Sequence, residues 1–210
     1  MADKNDVKAF EAYGITILKS SHSRVRIIKR KTDEPVIHGH KIWGSSLLLM
    51  DYFQQYQLIQ PGDHVLDAGC GWGLTGIYAA HNCGARVTAI DADKSVFPYL
   101  DLHADVNNVQ VATLQRRFEK LRIKDFSDHC LVFGGDVCFW DELVDIWYNL
   151  IGRAFRAGVE RVVLADPGRT SFHDLTEKCL NRWGADSVEW SVSHPRPISG
   201  YILDIQNPGQ

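Results

Sequence analysis

The chain has no apolar run approaching about 18 residues and no charged-then-apolar amino terminus ending in a cleavage site, so it offers neither a membrane span nor a secretory signal. Its five cysteines, at 70, 83, 130, 138 and 179, show no C-x-x-C spacing and are odd in number. That argues against both a disulfide framework and a zinc site, so no metal is expected; it points to a reducing compartment, with the cytoplasm as the default. An excess of charge of one sign is also missing. With 23 Lys and Arg against 26 Asp and Glu, the net charge of -3 leaves no electrostatic footprint for nucleic acid. The short basic cluster Arg24, Arg26, Lys29, Arg30 and Lys31 reads as the solvated edge of a strand. Internal repeats and low-complexity stretches are absent.

What is present suffices for one domain. At 210 residues and 45% hydrophobic content the chain can bury a sizeable core without a second unit. Residues 1–42 read as an N-terminal extension: a short polar helix over Lys4 to Ala12, then a strand pair, Ile15–Leu18 with Val25–Ile28. A loop from Pro35 carries His38 and His40 toward Trp43, and Ser45 and Ser46 are candidate N-caps for an apolar helix from Leu47 to Phe53. From Asp63 strands and helices alternate. Strands are expected at His64–Asp67, Arg86–Asp91, Val109–Leu114, Cys130–Gly134, Arg161–Asp166, Ser187–Val192 and Gly200–Ile205. Helices fall at Leu74–His81, Ser95–Asn107, Glu142–Phe155 and Ser171–Trp183. Pro195 and Pro197 interrupt any crossover helix before the last strand, which should therefore return antiparallel. The fold class is α/β, a Rossmann-like, doubly wound seven-stranded sheet, with residues 43–210 forming its core.

The most telling stretch runs from Val65 to Gly76. A buried strand ends in Asp67, then Gly69, Cys70, Gly71 and Gly73 lead into a helix. Glycine at every second position lets the backbone turn sharply and approach a ligand closely. Gly71-x-Gly73-x-x-Gly76 with Asp91 about 20 residues on also satisfies the dinucleotide fingerprint. Asp67 separates the readings. A carboxylate at the mouth of the loop would repel a pyrophosphate but accept from an ammonium, which favours S-adenosylmethionine over NAD.

The other candidates sit at strand ends, where an open α/β sheet binds its ligand. Asp91, with Ala92 beside it, would take the ribose hydroxyls. Phe118, in the loop after the third strand, would stack on adenine. Gly134 and Gly135 would bring the backbone close to the cofactor and deliver Asp136, with Phe139 three residues on. Trp43 would pack over the cofactor or a cationic amine, or serve as core at a helix start. Arg169 reads as a partner of Asp166, or of an acidic substrate segment.

Together these residues give a resemblance. Trp43 before the first helix, the Asp67-Ala68-Gly69-Cys70-Gly71 loop and the Asp136-Val137-Cys138-Phe139 run resemble class I seven-β-strand methyltransferases, and within them the protein-lysine group, methyltransferase family 16. Asp166-Pro167-Gly168-Arg169 is similar to the branch acting on the electron-transfer flavoprotein β subunit. The resemblance implies methyl transfer from S-adenosylmethionine, with S-adenosylhomocysteine as product, to a lysine of a protein substrate by a monomer. It implies catalytic roles for Asp136 and Phe139. The group carries tyrosine where this chain has Phe139, so a hydroxyl contact to the amine is missing and an apolar wall against the lysine stem takes its place. A small-molecule N- or O-methyltransferase and a non-catalytic cofactor-binding module are the alternatives.

Overall fold

The computed structural model describes residues 8–32 and 41–209. Its centre is a seven-stranded sheet in the order β5-β4-β3-β6-β7-β9-β8. The strands are β3 (His64–Ala68), β4 (Arg86–Asp91), β5 (Ala112–Gln115), β6 (Leu131–Gly135), β7 (Arg161–Asp166), β8 (Asp186–Val192) and β9 (Ile198–Gln206). Only β9 is reversed: it pairs antiparallel with both β7 and β8, while the other pairs run parallel. The expected hairpin return after Pro195 and Pro197 is therefore present.

Helices cover both faces. On one face α2 (Ser45–Tyr56) and α3 (Leu74–Cys83) bury Leu47, Leu48, Leu49, Phe53 and Ile77 against Val65, Phe133 and Ile202. On the other, α5 (Glu142–Arg156) and α6 (Thr170–Trp183) pack Trp147, Leu150, Ile151, Phe172 and Leu175 against Leu66, Val132 and Leu164. The inward residues of α5 recur at Val144, Trp147, Leu150, Ile151 and Ala154, the spacing that keeps one helical stripe apolar. Burial on both faces explains why the strands are continuous apolar runs.

The extension departs from expectation. Ala9–Ala12 is strand β1, not helix, and it pairs with β2 (Ile15–Leu18) in a hairpin. Tyr13 and Gly14, both at positive φ (50° and 76°), form its two-residue turn. Val25–Ile28 lies inside helix α1 (Ser23–Lys31). Adjacent Ile27 and Ile28 break strict alternation, the His22 ring accepts from the Arg24 N–H, and Lys29, Arg30 and Lys31 suit a helix carboxyl end. The basic cluster is thus a helix face rather than a strand edge. Lys4 and its neighbours, His38 and His40 lie outside the described residues.

Smaller corrections concern caps and ends. Gly44, not Ser45 or Ser46, occupies the N-cap of α2, without a side-chain hydrogen bond. The third core strand begins at Ala112 rather than Val109. The helix after β4 opens as a 3₁₀ turn, Lys94–Val96, before α4 (Phe97–Val106). The extension is held by buried polar contacts: the Leu18 N–H donates to His103 of α4 at 3.2 Å, and Asn107 exchanges hydrogen bonds with the Thr16 backbone at 2.7 and 2.9 Å.

Candidate active site

In strand order the direction of winding changes between β3 and β6, and the crevice beyond their carboxyl ends is where ligands bind in such sheets. A cavity of about 360 Å³ opens there. Trp43, Gly69, Gly71, Asp91, Ala92, Phe118, Gly135, Asp136 and Phe139 line it, joined by Val137, Trp140 and Arg169. Asp67, Cys70, Gly73 and Gly134 stand behind that lining.

The loops after β3 and β6 touch. At Gly69 (φ 76°) a Cβ would fall 2.7 Å from Val137 Cγ1, so only glycine lets the two loops meet. Gly71 (φ 51°) is the opposite case: a Cβ there would have no protein atom within 4 Å, and the backbone faces open space. This bare stretch fits a bulky ligand laid along the loop.

Asp67 does not reach that ligand space. It is 4% exposed, and its Oδ2 accepts from the Gly76 N–H at 3.1 Å, in the first turn of α3. It acts as a buried cap, because a free helix amide beneath the loop is closer than the cavity. Burial pushes its carboxyl up to about 7, the Gly76 amide opposing and the charge of Asp91 adding to the rise. Asp91 lines the cavity. Its Oδ2 accepts from the Gly71 N–H at 3.1 Å and its Oδ1 from the Asp93 N–H at 2.9 Å, so it fixes the glycine loop. Burial raises it from the usual carboxylate range against those two amides. Burial, then Asp67 and Asp91, push the Cys70 thiol well up, away from the thiolate form.

Asp136 follows β6 in a left-handed conformation (φ 58°), a strained position for a non-glycine residue. The surroundings hold it. Its N–H donates to Ala165 O at 2.8 Å; Trp147 Nε1 donates to Val137 O at 2.9 Å; and Ser171 Oγ donates to Cys138 O at 2.6 Å. Helices α5 and α6 therefore grip the loop from below. The Asp136 side chain is 6% exposed, and Arg169 Nη2 lies 2.7 Å from its Oδ1, an ion-pair contact off the hydrogen-bond line. The same guanidinium donates Nη1 to Asp166 Oδ2 at 2.5 Å, while Asp166 Oδ1 accepts from the Gly168 and Arg169 N–H groups. Sequence reasoning paired Arg169 with Asp166 and missed Asp136. A positive-φ acid cannot be read from residue order.

The rim is aromatic. Phe139 meets Trp140 edge to face at 4.7 Å, Trp140 is 53% exposed, and Trp43 carries Lys41 Nζ 4.0 Å over its ring. Phe118 packs on Trp147 with centroids 4.8 Å apart, and its carbonyl accepts from Arg153. Among the described residues no group of three or more His, Cys, Asp or Glu could hold a metal ion.

Comparison with known proteins bears on this geometry. Residues 65–158 match the family described as "Methyltransferase domain", from β3 through α5. An electron transfer flavoprotein beta subunit lysine methyltransferase from Xenopus laevis is 28% identical, over 62% of this chain and 52% of that protein. A histone-arginine methyltransferase from Mus musculus is 33% identical, over 51% of this chain and 44% of its own length. The chain spans about half the length of the curated relatives it matches. Among solved structures, a human methyltransferase 10 domain containing protein superposes with a TM-score of 0.60 at 13% identity, covering 79% of this chain and 85% of that one. TrmN from Thermus thermophilus does so with 0.59 at 15% identity, covering 77% and 48%.

Residues 65–158 thus match a methyltransferase domain, on a fold shared with solved methyltransferase structures. Among methyltransferases the chain resembles the protein-lysine group.

Proposed function

We propose that this protein transfers a methyl group from S-adenosylmethionine to a lysine amine of a protein substrate. The observation that carries the reading is Asp136. It stands at the meeting point of the glycine loop and an open aromatic rim, with its backbone fixed by three hydrogen bonds to the loop and its neighbours. Gly69, Gly71, Asp91, Ala92 and Phe118 would hold the cofactor, Asp91 toward the ribose and Phe118 toward the adenine. When bound, S-adenosylmethionine supplies an electrophilic methyl on a sulfonium and leaves as S-adenosylhomocysteine.

The chain's own groups act on the acceptor. A lysine amine has a reference pKa of about 10.4 and attacks only after losing its proton to solvent. Apolar walls from Trp43, Phe139 and Trp140 disfavour the ammonium and so promote that loss. Asp136 then accepts a hydrogen bond from the neutral amine, aims its lone pair and stabilises the positive charge that grows on nitrogen. The methyl carbon would come from the bound cofactor, with its old bonding pair kept by the departing sulfur, and the chain's own groups would serve only to align the amine with it. Alignment within about 3 to 3.5 Å is the main contribution required of the protein.

The same reading has the protein work as a cytosolic monomer, without nucleic acid or membrane, in keeping with its near-neutral charge and unpaired cysteines. The test is tritium transfer from labelled S-adenosylmethionine to poly-L-lysine and to extract proteins, followed by mass spectrometry of the labelled residue. Methyl-lysine formed by wild type, and a loss of about 100-fold or more in Asp136→Asn at unchanged cofactor affinity, supports it. Label on arginine would change the acceptor. Equal rates for Asp136→Asn and wild type would remove Asp136 from the mechanism.

A further inference from the structure

We propose that Arg169 is the positioning residue of the acceptor half of the site, its guanidinium holding the Asp136 carboxylate in the orientation that meets an entering amine. The inference rests on the methyl-transfer reading above and adds a residue to it. The backbone of Asp136 is set by Ala165 O and by the grip of Trp147 and Ser171 on the next two carbonyls. Rotation of the carboxylate itself remains to be fixed. Among the described residues, Arg169 is its charged partner, 2.7 Å from Oδ1.

The simpler alternative is that Arg169 serves Asp166 alone. Asp166 is fully buried and needs a counter-charge, yet its Oδ1 already accepts from two backbone N–H groups at 2.9 and 2.8 Å. One further donor on Oδ2 completes it, and Nη1 provides that donor. The second arm, Nη2, is therefore spare, and it faces Asp136. Arg169 also lines the cavity with its side chain 28% exposed, which a purely internal counter-ion would not need. A planar fork can join two carboxylates at once, whereas a lysine ammonium on a flexible stem cannot hold both in fixed register. Gly168, at φ 105°, packs beneath Tyr201, so the turn that presents Arg169 is itself constrained.

The bridge has a chemical consequence. With Oδ1 in an ion pair with the guanidinium, Asp136 offers its other oxygen to the acceptor, and the cation beside it offsets part of the negative charge that would otherwise retain a protonated amine. Positioning and selection of the neutral amine come from the same contact.

Three variants separate the two roles: Arg169→Lys, Arg169→Met, and Asp166→Asn combined with Arg169→Met. In the last, the amide oxygen still accepts from the Gly168 and residue-169 N–H groups, and no unpaired carboxylate is left at position 166, so that Asp136 alone loses its charged partner. With poly-L-lysine as acceptor, the double variant should fold, bind S-adenosylhomocysteine within about twofold of wild type, and lose about 100-fold in kcat with little change in KM. Arg169→Lys should recover about a tenth of the wild-type rate. A double variant with wild-type kcat would make Arg169 a structural counter-ion and overturn the proposal. A denaturant-unfolding cycle over Asp136→Asn and Arg169→Met reads the same contact without turnover: coupling of about threefold or more in the unfolding equilibrium supports the bridge, and additivity overturns it. If wild type itself moves no methyl, the methyl-transfer reading falls and that cycle alone decides the contact.

Discussion

The two halves of the rim manage their carboxylates in different ways. Asp67 and Asp91, on the side of the glycine loop, are held by backbone amides of Gly76, Gly71 and Asp93, and among the described residues neither forms an ion pair. Asp136 and Asp166, on the acceptor half, share one guanidinium. Amides orient a carboxylate without neutralising it; burial raises Asp67 and Asp91, and it raises Asp166 as well despite the guanidinium beside it. An arginine neutralises as well as orients. The first half has no basic side chain in an ion pair with its carboxylates among the described residues; the second has one guanidinium for two carboxylates.

Exchanging the means of support should break the comparison most. Asp91→Ala removes the acceptor for Gly71 and, on the proposed reading, the carboxylate that would meet the ribose, and should weaken S-adenosylhomocysteine binding about 10- to 100-fold by calorimetry, without altering acceptor preference. Next is Gly69→Ala, which forces a Cβ to 2.7 Å from Val137 at a φ of 76° and so drives the two halves apart. It should cost about 1 to 3 kcal/mol in denaturant unfolding.

A subtler test exploits pH. The Asp67 carboxyl is raised to about 7, above its unfolded value, so between about pH 4 and pH 7 the unfolded chain releases a proton that the folded chain keeps. Stability from this group is present below that window and is lost as pH rises through it. Asp67→Asn keeps an acceptor for Gly76 and removes the titration. Its melting temperature relative to wild type should therefore climb from pH 4 to pH 7 and then level off; a flat difference would mean that Asp67 is not held neutral. The smallest effect belongs to Phe139→Tyr, which brings in the hydroxyl of the resembling group and should shift kcat by about threefold or less, because the proposed mechanism has Asp136 accept from the amine.

Much of this was legible in the residues. The strand ends at Asp91 and Asp166, the end of β3 to within one residue (Ala68 for Asp67), the glycine loop and the returning last strand follow from period, glycine spacing and proline placement, all local signals. The extension was not, because Tyr13-Gly14 is a hairpin turn only when both residues take positive φ, and Val25–Ile28 fits either period over so short a span. Within the site, the cavity lining from Trp43 to Phe139 was anticipated, whereas the direction of two side chains was not. Asp67 turns down to α3, and Arg169 reaches across to Asp136; each depends on which buried donor lies nearest, and that is a property of packing.

The most direct measurement is isothermal calorimetry of wild type, Asp91→Ala and Asp136→Asn with S-adenosylhomocysteine, and of wild type with NAD. A division into a cofactor half and an acceptor half predicts binding of S-adenosylhomocysteine but not NAD, a large loss in Asp91→Ala, and an unchanged affinity in Asp136→Asn. Binding of NAD alone, or an equal loss in both variants, would contradict it.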